Sequence, residues 1–211
     1  MLFGIFIYDG VEAIDLATYG VLSMAKRIRP DIEICTIAPR DGIVELANGL
    51  RLIADYGITT APAIDVLVVT GGPGWIAQSR APETLAFIRR QIRRQGSAIP
   101  VASVCTGGMI LAASGVLDGK AATTKREVAP PEQSPLQLLR DTYPQVTARE
   151  AAFVDAGNVV TGGGVSLCID TMLQLLQRFY GAEMAAETAR IIEYQRARSA
   201  NLQLFPPLIC P

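Results

Sequence analysis

The feature that most narrows the fold is a set of short, wholly apolar runs, each stopped by a glycine or an acid. "LFGIFIY" (residues 2–8) stops at Asp9-Gly10, and "DVLVVTGGPG" (65–74) ends in its own glycines. "IPVASVC" (99–105) stops before Thr106-Gly107, and "DIEICTIA" (31–38) has a comparable length and β-branching. Runs of this kind suit strands buried on both faces. Between them lie segments of helical spacing. In "VEAIDLATYGVLSMAKRI" the apolar positions Val11, Ile14, Leu16, Val21, Leu22 and Ala25 fall at roughly helical intervals. Pro82 opens a second helix, running to about Gln95, at a position where its missing donor costs nothing. Gly107 to Ser114 forms a third, closed by Gly115. Strands alternating with helices imply an α/β fold whose mostly parallel sheet is covered on both faces.

The remaining segments fit that frame. Asn48-Gly49 inside "GIVELANGLRLIADYGI" signals a hairpin. "QSPLQLLRDTYP" reads as a helix, and "AREAAFVDAGNVVTGGG" as two short strands about a Gly157-Asn158 turn. "SLCIDTMLQLLQRFYG" reads as a buried helix and "AEMAAETARIIEYQRA" as another. The tail "NLQLFPPLICP" cannot be helical through its prolines. With 211 residues, 50% of them hydrophobic, the expectation is a single domain over 1–211.

Charge and cysteine usage exclude several functions. A net charge of −1 gives no global field for nucleic acid or an anionic membrane. Arg89, Arg90, Arg93 and Arg94 share one helix face without interleaved aromatics, which reads as a solvated face. No apolar run approaches the ~18 residues of a membrane span. Met1-Leu2-Phe3 leads straight into a strand, without a charged leader region. The four cysteines (35, 105, 168 and 210) form no CxxC pair, so free thiols in a reducing cytoplasm are expected. Their scatter and the absence of histidine leave no zinc site by spacing.

In a parallel sheet the site lies beyond the carboxyl ends of the strands. Three turns belong there: "YDGVEAID", "TGGPG" and "SVCTGG". Cys105, between a strand and a helix that starts with Gly107 and Gly108, can occupy a nucleophile elbow. The free N–H groups of that helix would favour its thiolate. The alternative is a small buried core cysteine. Gly71-Gly72-Pro73-Gly74 reads either as an oxyanion donor or as a plain tight turn. Asp15, between Ile14 and Leu16, reads as an acid tipped into an apolar cleft, where its pKa rises, or as a helix-surface acid. Cys35, Cys168 and Cys210 read as structural.

"YDGVEAIDLATYGVL", "DVLVVTGGPG", "PVASVCTGGMILAASGVLDGKAATT" and "VVTGGGVSLCIDTMLQLL" together resemble the DJ-1/PfpI (ThiJ/PfpI) superfamily. They follow the family order over nearly the whole chain. "SVCTG", "AATT", "TGGG…ID" and Glu193-Tyr194 look most like the isonitrile hydratase branch. The resemblance implies a flavodoxin-like three-layer sandwich, a homodimer with sites near its interface, and a small-molecule substrate. It makes Cys105 the nucleophile and Asp15 the acid beside the thiol. It assigns Thr106 to substrate binding and to support of the thiolate. Gly72 and Thr106 would supply oxyanion N–H groups, with Gly107 in the same turn. Gly162, Gly163 and Gly164 would frame the cleft, with Asp170 beyond them. No metal or organic cofactor is needed for hydration of an isonitrile to an N-substituted formamide through a covalent thioimidate.

One departure stands out. Where many relatives carry a histidine just after "ATT", this chain has Lys125-Arg126. With no histidine anywhere, a Cys-His dyad is excluded, which argues against a PfpI-type peptidase. Lys125 and Arg126 either line the mouth or are solvated surface. The "PPEQSP" insert after them also bears on the pocket. Competing functions are a glyoxalase-like or amide hydrolase, a ligand-sensing module, and a redox sensor at Cys105. For the sensing module, a helix-turn-helix partner would have to lie on another chain.

Overall fold

The computed structural model describes residues 1–94 and 98–210. The chain begins with β1 (Leu2–Phe6), then a 3-10 turn over Ala13–Leu16 that leads into α1 (Ala17–Ala25). β2 (Glu33–Ala38) is followed by a hairpin of β3 (Gly42–Glu45) and β4 (Arg51–Ala54), then β5 (Tyr56–Gly57). β6 (Val66–Val69), α2 (Trp75–Gln78), α3 (Pro82–Ile92), β7 (Val101–Ser103) and α4 (Gly107–Ser114) come next. β8 (Ala121–Ala122), α5 (Pro135–Thr142), β9 (Thr147–Ala148), β10 (Phe153–Asp155) and β11 (Val159–Gly162) follow. The chain closes with α6 (Cys168–Tyr180), α7 (Ala182–Ile191), α8 (Gln195–Leu204) and β12 (Leu208–Ile209).

Eight strands form one sheet in the order β12-β10-β11-β7-β6-β1-β2-β5. Every neighbouring pair in it is parallel except β10 with β11. The central strands are apolar on both faces because helices cover both. α1, α6 and α7 pack together, as do α3 and α4. Phe3, Ile5, Phe6, Val66, Leu67, Val68 and Val101 are fully buried. Each large apolar side chain so placed stabilises the fold by roughly 1.5–3 kcal/mol. This is the mostly parallel α/β sandwich expected from the alternating runs.

The differences are local. The helix expected over 11–28 starts as a 3-10 turn, with Glu12 capping it through Ala13 N–H. Gln95, the expected end of the second helix, lies outside the described residues. The helix expected over 182–197 is two, α7 and α8. Glu193 is left-handed there (φ +55°), and Tyr194 N–H turns back to Ala189 O at 2.9 Å. Beyond the tail prolines, Leu208 and Ile209 pair in parallel with β10 and extend the sheet. Asn48 and Gly49 are both left-handed at the tip of the β3–β4 hairpin, whose register sets Glu45 opposite Arg51.

Candidate active site

The three turns singled out from the sequence meet beyond the ends of β1, β6 and β7. Glu12 N–H donates to Gly71 O at 2.9 Å and Gly74 N–H to Gly10 O at 3.1 Å, tying the first two together. Cys105 forms the tip of the third. Its φ is +50°, a left-handed conformation that costs a residue with a Cβ about 1–2 kcal/mol. The surroundings hold it there. Its N–H donates to Gly163 O at 3.0 Å, and its carbonyl accepts from the Thr124 hydroxyl at 2.7 Å. Gly107 lets α4 start directly against β6, since a Cβ on it would run into the Val69 carbonyl oxygen.

Asp15 sits in the 3-10 turn and is fully buried (0% exposed). Gly71 N–H donates to its Oδ2 at 2.6 Å, while Oδ1 is buried with no hydrogen-bond partner among the described residues. Burial lifts this carboxyl to about 7; the charge of Glu12 adds to the shift, and Gly71 N–H and Lys125 oppose it.

The sulfur of Cys105 departs from the expectation of an activated thiolate. The residue is 1% exposed, and burial, followed by the negative charge of Asp15, pushes its thiol up to about 12. The Thr106 amide and hydroxyl and the Lys125 charge pull the other way and do not prevail. Neighbouring donors are already engaged. Gly107 N–H goes to Val104 O (2.9 Å), Gly108 N–H to Cys105 O (3.4 Å) and Gly72 N–H to Thr106 Oγ1 (2.8 Å). Of these turn amides, that of Thr106 is the one left to face the sulfur. Burial thus favours the protonated thiol of Cys105.

Above the thiol lies a cavity of about 520 Å³. Ile14, Trp75, Ile76, Pro135, Leu138 and Val165 form its apolar walls, and Gly72, Thr106, Glu12, Lys125 and Glu132 its polar ones. A second cavity of about 300 Å³ adjoins it and is lined by Arg126, Gly163, Gly164, Asn201 and Phe205 among others. Lys125 and Val165 line both. Thus Lys125 faces the cleft, and the "PPEQSP" insert supplies part of its wall. Arg126 is held by Glu127 at 2.7 Å and by Glu150, and lies 4.5 Å over the Phe205 ring.

Other residues have structural settings. Asp170 Oδ2 accepts from Tyr194 OH and Asn201 Nδ2, both at 2.9 Å, and so ties α6 to the α7–α8 segment. Cys168 is buried at the start of α6, its Sγ 3.9 Å from Ile14 O, behind the turn that carries Asp15. Sequence reasoning missed α2, which brings Trp75 and Ile76 to the cavity, and Asn201; a four-residue helix leaves no readable period. Among the described residues, no group of three or more His, Cys, Asp or Glu side chains is placed to hold a metal ion. No described helix is long and apolar enough to cross a membrane.

A buried cysteine on a left-handed strand-to-helix turn, with a buried acid beside it at the end of a parallel sheet, defines the class. Residues 3–178 match the DJ-1/PfpI family. The chain is 31% identical over 195 residues to the isonitrile hydratase of Pseudomonas putida, covering 92% of this chain and 78% of that protein. It is 32% identical over 153 residues to the HTH-type transcriptional regulator GbdR of Pseudomonas aeruginosa, covering 72% of this chain but only 39% of the regulator. It thus spans about two fifths of that relative's length. A crystal structure of a ThiJ/PfpI family protein from Pseudomonas syringae superposes with a TM-score of 0.77, at 24% identity, over 96% of this chain and 85% of that one. The chain belongs to the DJ-1/PfpI family.

Proposed function

We propose that this protein is a cysteine-dependent hydratase that converts isonitriles to N-substituted formamides. The observation that carries this reading is the buried Asp15–Cys105 pair, with the carboxyl at about 7, under a largely apolar cavity. The likeness to the Pseudomonas putida enzyme supports it. Ionised Asp15 takes the Cys105 proton as the sulfur attacks the terminal carbon of R–NC. The same proton passes to that carbon, giving the thioimidate R–N=CH–S. Asp15 then takes a proton from water as its oxygen adds to the thioimidate carbon. The C–S bond breaks, the nitrogen is protonated, and R–NH–CHO leaves with Cys105 restored as thiol. Water is the only co-reactant, and the scheme needs no metal or organic cofactor.

In this scheme the Thr106 amide faces developing charge, and Gly72 N–H joins it once the Thr106 hydroxyl rotates away. Gly107 serves by packing, and Gly163 and Gly164 frame the cleft. A homodimer belongs to the same proposal. The test is formamide production from an alkyl isonitrile by wild type, Cys105→Ala and Asp15→Asn. Turnover by wild type with a loss of at least about 10³-fold in Cys105→Ala and 10²-fold in Asp15→Asn is the expected result. No turnover across alkyl and aryl isonitriles overturns the reading.

The likeness to GbdR favours a second reading, a small-molecule-sensing module built on the same cleft. Saturable isonitrile or formamide binding by calorimetry, without turnover, is the result that would favour it.

A further inference from the structure

Lys125 stands where the chemistry needs explaining. Its side chain is 23% exposed and lines both the Cys105 cavity and the adjoining one. Two contacts set its direction. Lys125 O accepts from Leu136 N–H at 2.9 Å, fixing the backbone. The side chain also lies against Gly164, where a Cβ would come within 2.6 Å of Lys125 Cγ and 2.8 Å of its Cβ. A larger residue at 164 would run into the root of the Lys125 side chain and its Cα.

The ammonium already holds a carboxylate loosely. Nζ is 3.4 Å from Glu132 Oε2, and the Glu132 side chain is 59% exposed. Such a pair contributes little and exchanges readily. The other acid lining the cavity, Glu12, directs Oε1 to Ala13 N–H at 3.1 Å. Arg126 cannot take the same part, being held by Glu127 and Glu150 against Phe205. Glu132 therefore marks the place that a ligand carboxylate would occupy, with the cavity leading from it down to the sulfur.

We infer that the cleft takes anionic substrates, in which a carboxylate displaces Glu132 from Lys125 while the electrophilic carbon rests at Cys105. This rests on the proposed reactivity of Cys105 and narrows the proposed substrate to isonitriles that carry a carboxylate. Lys125 is then the residue that determines specificity. Glu132 is a mobile stand-in that keeps the ammonium in place between turnovers.

Alkylation of Cys105 tests this without requiring turnover. Iodoacetate carries the carboxylate and iodoacetamide does not, and each forms a thioether at sulfur with loss of iodide. The ratio of the two rates cancels the fraction of thiolate, which Lys125 also influences. Lys125→Met is expected to lower the iodoacetate-to-iodoacetamide ratio about fivefold, and Lys125→Arg to restore most of it. Glu132→Gln, a surface change, is expected to raise the ratio. An unchanged ratio in both Lys125→Met and Glu132→Gln overturns the inference. With isonitriles, isocyanoacetate is expected to show a higher kcat/KM than its methyl ester in wild type, and the preference to vanish in Lys125→Met. If no isonitrile turns over but the alkylation ratio follows Lys125, the hydratase reading falls and the anionic site stands.

Discussion

The carboxyl of Asp15 rises to about 7 on folding, so stability and activity pull on the same proton in opposite directions. In the unfolded chain it titrates near 3.8. Between these values the folded chain keeps a proton that the unfolded chain has released, so stability falls as pH rises through that window. Its contribution is complete below about 4 and gone above about 7. A shift of this size corresponds to a loss on the order of 4 kcal/mol. Asp15→Asn keeps an oxygen for Gly71 N–H and removes the titration. Its urea midpoint should therefore gain on wild type from about pH 4 to pH 7 and level off above that. A constant gap across that range would place the proton elsewhere. Activity should run the other way. In the proposed scheme the ionised carboxylate accepts the thiol proton, so wild-type kcat/KM should climb as pH rises through about 7. The apparent value belongs to the Asp15–Cys105 pair rather than to one residue. The sequence pointed to this pair through its resemblance to the family, while its residues alone also allowed Asp15 as a helix-surface acid. It did not carry the direction of the thiol's shift, because that depends on how completely the Gly71-Gly72 turn and α4 close over the sulfur. Nor did it carry the aim of Lys125, which is set by a glycine 39 positions away in the chain.

Among the elements, β1, β6 and β7 were legible as unbroken apolar runs because they are buried on both faces, and the β3–β4 ribbon through its Asn48-Gly49 turn. β5, β8, β9 and β12 have two residues each and no period to read. The break between α7 and α8 carries no glycine or proline; a tertiary contact, Tyr194 OH on Asp170, fixes it instead. The outer part of the sheet depends on a similar long-range tie. Asp155 of β10 is fully buried and accepts from Arg178 Nη1 at 2.5 Å and Gln174 Nε2 at 3.1 Å, both on α6. β10 lies between β11 and the C-terminal β12. Arg178→Ala leaves a buried carboxylate short of its cation and should cost about 3 kcal/mol in chemical denaturation. Replacing both members, Asp155→Asn with Arg178→Met, should cost less than Arg178→Ala alone, because no uncompensated charge remains. A larger loss in the double variant would mean that the pair is more than charge compensation. Faster amide exchange in β12 should accompany the single variant.

For the whole molecule, the β3–β4 hairpin is the element whose stability the chain explains least by itself. Two-stranded ribbons are marginal in water. Here Val44 faces inward and is buried, while Ile43 and Ile53, directly paired across the ribbon, are 68% and 74% exposed. The ribbon is tied to the loop that forms the site. Gly10 N–H donates to Glu45 O and Ala47 N–H to Val11 O, both at 2.8 Å, and Glu45 N–H donates to Asp9 Oδ1 at 2.9 Å. That loop continues into Glu12 and Asp15. We predict that a second copy covers Ile43 and Ile53, which would bury them and brace the loop at once. Sedimentation at micromolar concentration should then give twice the chain mass. Ile53→Glu should shift the species to one chain, with a several-fold fall in kcat/KM, because the loop carrying Asp15 loses its brace. Cys105→Ala should stay dimeric, since it touches the sulfur and not the ribbon. A wild type that sediments as one chain, or an Ile53→Glu variant that stays paired, would move the interface away from this ribbon and leave its two isoleucines without a partner.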